Sequence, residues 1–240
     1  MQDTMDTTPE IPANPWLRGF KRATPIVLGY LPVAVAFGVL AQKNGISGTN
    51  AVLMSLIVFA GASQFIAVGL IASGAGPLAV IATTFMVNLR HLLMSAALTP
   101  HLKGWSKPLL SLFGFGITDE SFALHTLAFT TREPDARESL AVNFTAYCSW
   151  VVGTWTGIAA SGLIGDVRPM GLDYALPAMF IALLTAQLKD RVHVLTALAA
   201  GAFSVILLAA GLSQANVILA TVVAASLGTG IVLWNSKRSS

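Results

Sequence analysis

The chain has 240 residues, of which 55% are hydrophobic and only 10% charged, with a net charge of +3 and a mean hydropathy of +0.72. A soluble domain carries about a quarter charged residues, so there are too few polar side chains here to cover a water-facing surface, and a soluble globule is excluded. The sequence pI is near 9.2, but the basic residues are scattered over loops and ends with no aromatic-interleaved basic face; this argues against a nucleic-acid partner and for topology signals in contact with a lipid bilayer.

Residues 1–18 read as a disordered cytoplasmic tail, with Asp3, Asp6, Glu10 and three prolines amid little hydrophobicity. Arg18, Lys21 and Arg22 precede the first apolar run, about Thr24–Ala41, which is longer than a signal-peptide core and reads as a retained span kinked at Pro32. No charged residue lies between Lys43 and Arg90, and crossings need about 20 residues each. That stretch holds a second span, about Asn50–Ser73, a Gly74–Pro77 turn, and most of a third, about Leu78–Leu98, closed by Pro100. The fourth runs from about Pro108 to Thr131, and the charged loop Arg132–Glu138 leads to the fifth, about Leu140–Ile164. A short sixth (Tyr174–Leu188), a seventh (Val192–Ala210) and an eighth (Ala215–Trp234) follow.

Runs such as Ile26–Leu40 and Val194–Leu208 are apolar on every face, which fits helices and not the alternating strands of a barrel. The expected fold is all-α: a polytopic transmembrane helical bundle of about eight spans, seven if the sixth is re-entrant. It forms one transmembrane domain over residues 19–235, with residues 236–240 as a cytoplasmic end. With the N-terminus inside, Arg18, Lys21, Arg22, Arg132, Arg137, Lys189, Arg191, Lys237 and Arg238 lie inside; Lys43, Lys103, Lys107 and Arg168 lie outside. That distribution obeys the positive-inside rule, with Lys103 and Lys107 dissenting.

Charge within a span is costly, about 2.5–3.5 kcal/mol per residue at a helix centre. In the fourth span, ten large apolar residues from Leu109 to Phe129 contribute about −3 to −6 kcal/mol, against roughly +5 to +7 for Asp119 and Glu120. A plain lipid-facing helix would not hold there. Gly114 and Gly116 precede Thr118-Asp119-Glu120-Ser121, and a hydroxyl followed by two acids is a helix-start signal. The spacing predicts a broken helix near Gly114–Glu120 that restarts at Thr118 in mid-membrane, as in transporters that bind substrate at interrupted helices.

Thr84, Asn88, His91 and Ser95 make one polar stripe on the third span, flanked by Arg90. On the fifth, Asn143, Tyr147, Trp150, Thr154, Gly157 and Ser161 share a face; Thr154, Gly157 and Ser161 read as helix-packing positions, while Asn143 and Trp150 are cavity candidates. Gly157/Ser161 and Ala224/Gly228 are also small-residue faces open to the helices of a companion chain. Cys148 is alone in an apolar stretch and reads as a small buried hydrophobe. Walker-type, His-Glu-x-x-His and Gly-x-Ser-x-Gly patterns are absent from the sequence; no cofactor and no metal is expected, and the chain is not expected to be an enzyme. The competing readings are a structural subunit of a membrane complex and an intramembrane enzyme using Ser63 with His91 or His125.

Four segments carry a resemblance: Phe59-Ala60-Gly61-Ala62-Ser63-Gln64-Phe65, Asn88-Leu89-Arg90-His91, Thr118-Asp119-Glu120-Ser121-Phe122-Ala123-Leu124, and Leu176-Pro177-Ala178-Met179-Phe180-Ile181-Ala182-Leu183-Leu184. In this order on a hydrophobic scaffold they resemble the AzlC family, the large subunit of bacterial branched-chain amino acid exporters. The resemblance implies a multi-pass protein of the bacterial inner membrane. It also implies a small AzlD-like membrane subunit as partner, and gradient-driven export of valine, leucine, isoleucine or similar amino acids. The substrate-binding candidates are Arg90, Asn88, Gln64, Ser63, Trp150 and Asn143; the proton-coupling candidates are Asp119, Glu120 and His91.

Overall fold

Asn14 starts the first helix, α1 (Pro15–Lys43): its side chain accepts from the Trp16 N–H, and Pro15 stands at the first helical position, where no N–H is needed. The computed structural model describes residues 14–164, 190–211 and 216–238, with scattered positions from 169 to 188. Pro15–Arg18, expected in the tail, are therefore helical, because the Asn-Pro pair sets the start earlier than hydrophobicity alone indicates. At 1.5 Å per residue, α1 is about 44 Å long, enough to cross the apolar core and both headgroup layers. Most of the sixth expected span, with most of the Leu176–Leu184 segment, lies outside the described residues.

Four further crossings follow. The second is not continuous: α2 (Gly48–Leu53) runs into a π-helical turn, Met54–Val58, and stops at Phe59, whose φ of 44° is left-handed. α3 (Gly61–Ala72) then starts on Ala60, which brings no capping side chain. The Gly74–Gly76 turn, with Gly74 at φ 77°, leads to α4 (Pro77–Leu98) and a 3-10 turn, Thr99–His101. The fourth crossing breaks where the sequence predicts: α5 (Lys107–Phe115) ends, and α6 (Asp119–Thr131) begins after Thr118. The side chain of Thr118 accepts from the Ser121 N–H at 3.3 Å, and Thr118 N–H donates to the Ser121 hydroxyl at 2.9 Å. α7 (Ala136–Ala160) is capped by Asp135, and α8 (Arg191–Ala209) and α9 (Asn216–Arg238) are the long helices that follow among the described residues. No strand occurs among the described residues, and the protein is an all-α membrane protein.

The tightest contact joins the first and fifth crossings. A Cβ on Gly38 would sit 2.3 Å from the Thr154 carbonyl oxygen, one on Gly157 2.1 Å from that of Val35, and one on Gly153 2.6 Å from the Ala34 Cβ. Near the start of both helices Gly19 meets Glu138 and Ala141, and near the end Ser161 bonds Gln42. Residue numbers rise together along the contact, so α1 and α7 are parallel, as four chain reversals between them require. Around them pack Tyr30, Phe37, Phe59, Phe65 and Trp150. A second apolar cluster, around Leu98, Phe113, Ile117 and Phe129, joins α4, α5 and α6.

This corrects one expectation. The Gly157/Ser161 face is occupied by α1 of the same chain, and Gly228 faces Thr196 of α8, whose Oγ1 would lie 2.7 Å from an added Cβ. Close backbone approach within one chain uses these small residues, so they are not left over for another subunit. The packing role read for Thr154, Gly157 and Ser161 is what the structure contains.

Gly157→Ala should therefore destabilise the bundle by about 1–3 kcal/mol, the usual range for overpacking, because the obstructing atom is a backbone carbonyl. Gly201→Ala, at a mid-helix position with nothing within 4 Å, should melt at or above the parent temperature. Equal thermal-melting curves for the two variants in mild detergent would show that the α1–α7 contact is not tight.

Candidate functional site

The two interruptions lie side by side and open onto one recess, lined by Tyr30, Phe59 to Ala62, Arg90, His91, Thr118 to Glu120 and Trp150. Its walls come from α1, both broken crossings, α4 and α7. The free volume is about 30 Å³, room for a couple of waters. Arg90 Nη1 lies 2.8 Å from Asp119 Oδ2, with both side chains partly exposed. Tyr30 reaches across from α1: its phenol donates to Glu120 Oε2 at 2.6 Å and lies 2.7 Å from the Thr118 hydroxyl. His91 Nδ1 is 3.2 Å from the Asn88 carbonyl oxygen. Arg90 Nε and Asn88 Oδ1 are buried without a hydrogen-bond partner.

Of the residues singled out from sequence, Arg90, His91, Asp119, Glu120 and Trp150 come together here. Asn88, Ser63, Gln64 and Asn143 do not line the recess. The Ser63 hydroxyl donates to its own helix start, the Ala60 carbonyl, at 2.9 Å. Gln64 and Asn143 each bond to protein groups through both ends of the amide. Asn143 Nδ2 donates to the Phe113 carbonyl at 3.0 Å and its Oδ1 lies 2.8 Å from His125 Nε2, so it bridges α5 and α6. Gln64 Oε1 accepts from the Trp150 indole at 3.0 Å, and its Nε2 donates to Ser55 at 3.0 Å. Ser55 in turn lies 2.8 Å from the Thr154 hydroxyl.

Sequence reasoning missed two parts of the lining. Tyr30 sits in an apolar run with no local polar signal. The Phe59–Ala60 break has no capping residue to announce it; the small residues of Ala60-Gly61-Ala62-Ser63 were the only mark. Glycines admit the bridging side chains at both breaks: a Cβ on Gly61 would lie 2.6 Å from the Trp150 ring, and one on Gly116 2.5 Å from the Asn143 Cβ.

A second polar cluster closes the end of the bundle where α1 and α7 begin. Glu138, with its side chain 3% exposed, receives Arg18 Nε at 3.0 Å, Arg22 Nη1 at 2.8 Å and Arg132 Nη1 at 2.8 Å. Arg18 also pairs with Asp135 at 2.9 Å. The chain start and the Arg132–Glu138 loop thus share one side of the membrane, as the charge distribution predicts. Burial alone would raise the Glu138 carboxyl; hydrogen bonds from Arg132, Arg22 and Arg18 outweigh it and hold the group down at about 2.

The AzlC family profile, described as AzlC protein, matches residues 25–164, which includes α1 to α7 almost entirely and both breaks. The chain is 33% identical to the inner membrane protein YgaZ of Escherichia coli (strain K12) over 182 residues, 73% of this chain and 74% of that one. It is 35% identical to an uncharacterized membrane protein of Archaeoglobus fulgidus over 205 residues, 85% of this chain and 89% of the relative. With the branched-chain amino acid transport protein AzlC of Bacillus subtilis (strain 168) it shares 29% over 72% of this chain and 68% of that one. No solved structure matches.

A carboxyl held low in the folded state stabilises the fold above its unfolded value, about 4.5, and the contribution fades as pH falls towards about 2. The melting temperature of the parent should fall across that window, whereas Glu138→Gln should start lower at pH 7 and change less. Parallel melting profiles for the two proteins between pH 5 and pH 3 would remove Glu138 as the cause.

Proposed function

The chain belongs to the AzlC family, and from that premise we propose that it exports branched-chain amino acids across the bacterial inner membrane by gradient-driven secondary transport, with the recess between the two broken crossings as its substrate site. The observation that carries this reading is the meeting, at two helix interruptions, of a guanidinium, two carboxylates and an aromatic wall. A zwitterionic amino acid with an apolar side chain needs those three things. Arg90 offers its planar fork to the carboxylate, and the uncapped first turn of α3, on Ala60, adds free N–H groups and the positive end of a helix dipole. Glu120, which accepts from Tyr30, or Asp119, once released from Arg90, receives the ammonium. Trp150 and Phe59 meet the aliphatic side chain. The recess has room for about two waters in this conformation and must widen to admit an amino acid; the Arg90–Asp119 pair is the substrate-free contact that substrate replaces.

Asp119 and Glu120 are adjacent carboxylates at a midplane helix start. One of them exchanges a proton as the recess opens alternately to each side, with His91 beside them. Asp119→Asn or Glu120→Gln should abolish gradient-driven export while insertion stays intact; pH-dependent export in both variants would end this assignment. For Arg90, the decisive substitution is Arg90→Lys. It keeps the charge and much of a simple ion pair, so a purely structural bridge predicts near-parent export. Carboxylate recognition predicts normal protein levels with apparent affinity lowered at least about tenfold, the loss of roughly 1.4 kcal/mol. Export indistinguishable from the parent across substrate concentrations would sink the role.

Glu120 is exposed and Arg90 and Asp119 are partly so among the described residues. Ionised groups facing lipid are costly, and a small AzlD-like subunit seated over the mouth of the recess would cover them. Co-purification after mild extraction tests this, and full transport by the single purified chain would refute dependence on a partner.

A further inference from the structure

A buried chain of side-chain hydrogen bonds runs back from the Trp150 wall of the recess. Trp150 Nε1 donates to Gln64 Oε1, Gln64 Nε2 donates to Ser55 Oγ, and Ser55 Oγ meets Thr154 Oγ1, one helical turn beyond Trp150 on α7. The four side chains are at most 3% exposed. Their direction is forced. An indole N–H can only donate, so Gln64 must turn its oxygen to Trp150 and its amide nitrogen to Ser55. Ser55 precedes the interruption of the second crossing and Gln64 follows it, so the circuit fastens both halves of that crossing to α7.

Trp150 itself forms a wall of the recess. Its ring stands edge-on to Tyr30, with centroids 5.3 Å apart, and lies beside Phe37 at 6.3 Å. Gly61 lets the six-membered ring rest against the start of α3. The rings of Tyr30 and Phe37 pack on the indole, and the hydrogen bond from its Nε1 to Gln64 is the polar contact that fixes its rotation within the ring plane. We propose that Gln64 is a positioning residue for substrate selection: it never contacts the transported amino acid, and it sets the depth of the apolar subsite by fixing the Trp150 indole. This rests on the reading of the recess as an amino acid site. It predicts that loss of the Gln64 amide relaxes discrimination by side-chain size while leaving carboxylate and ammonium recognition at Arg90 and Glu120 in place.

The test uses the full chain, with its companion where one co-purifies, reconstituted in liposomes and labelled with fluorotryptophan. The chain has five tryptophans, and the Trp150 fluorine resonance is identified by its absence in Trp150→Phe. In Gln64→Leu that resonance should move and broaden, and the preference for valine over phenylalanine should narrow by about fivefold, a typical effect of one lost hydrogen bond. Trp150→Phe cuts the same bond from the other end, and Gln64→Leu combined with it should add nothing further to the narrowing. An unmoved Trp150 resonance, an unchanged preference in Gln64→Leu, or additive effects in the double variant would each overturn the proposal. If Gln64→Leu does not accumulate, Trp150→Phe decides, and unchanged preference there overturns it. A parent protein that moves none of the amino acids overturns the transport reading instead, while the fluorine resonance still decides whether Gln64 fixes the indole.

Discussion

The structure depends on two parallel helices that touch backbone to backbone. Parallel crossings place like dipole ends side by side, which is unfavourable by itself. Here α1 and α7 approach through Gly38, Gly153 and Gly157, so van der Waals contact runs along the whole interface. Their shared starting end carries Asp135 and Glu138, acids placed where helix starts favour negative charge, and three arginines neutralise them. This pair is the fixed frame: Tyr30 comes from one member and Trp150 from the other, and the recess is what the remaining helices enclose against them.

Interrupting a helix inside lipid exposes N–H and C=O groups that water cannot reach. α7 resolves this twice with the same device. A polar side chain comes close beside a glycine and bridges the two halves: Asn143 across Gly116 for the fourth crossing, and the Trp150–Thr154 pair through Gln64 and Ser55 for the second. The breaks differ in how they restart. Thr118 and Ser121 form a capping box, so α6 begins with its own donors partly satisfied. α3 begins on Ala60 with none, and that asymmetry leaves donor capacity on one side of the recess and carboxylates on the other.

Much of this was legible in the sequence where a residue type carries an unambiguous physical cost. Asp119 and Glu120 could not sit in a lipid-facing helix, and the Gly114–Thr118 stretch offered the only local remedy. Arg90 stood out as a charge flanking the polar stripe of the third span; its pairing with Asp119 is seen only in the structure. The second break was illegible because it has no cap and no charge: Phe59 adopts a left-handed backbone that its side chain does not advertise, held by tertiary contacts with Phe115 and Tyr147. Ser63, Gln64 and Asn143 were recognisable as buried polar residues, but whether such a residue faces a cavity or a neighbouring helix depends on packing between segments about 20 to 100 residues apart. Periodicity within one helix cannot supply that.

The α1–α7 contact also bears on how the protein is made. α1 leaves the ribosome long before its mate; at about 5–20 residues per second the end of α7 follows the end of α1 by roughly 6–23 s. During that interval Gly19, Gly38 and the neighbouring small residues of α1 face lipid or the insertion machinery, and Arg18 and Arg22 wait at the surface without Glu138. Assembly of the frame is thus a late event in biosynthesis, and the intervening crossings must be threaded into the membrane before the helices that organise them have met. A nascent chain arrested before Glu138 emerges would hold its first crossings in the bilayer with no settled arrangement, an orphan for membrane quality-control proteases to recognise.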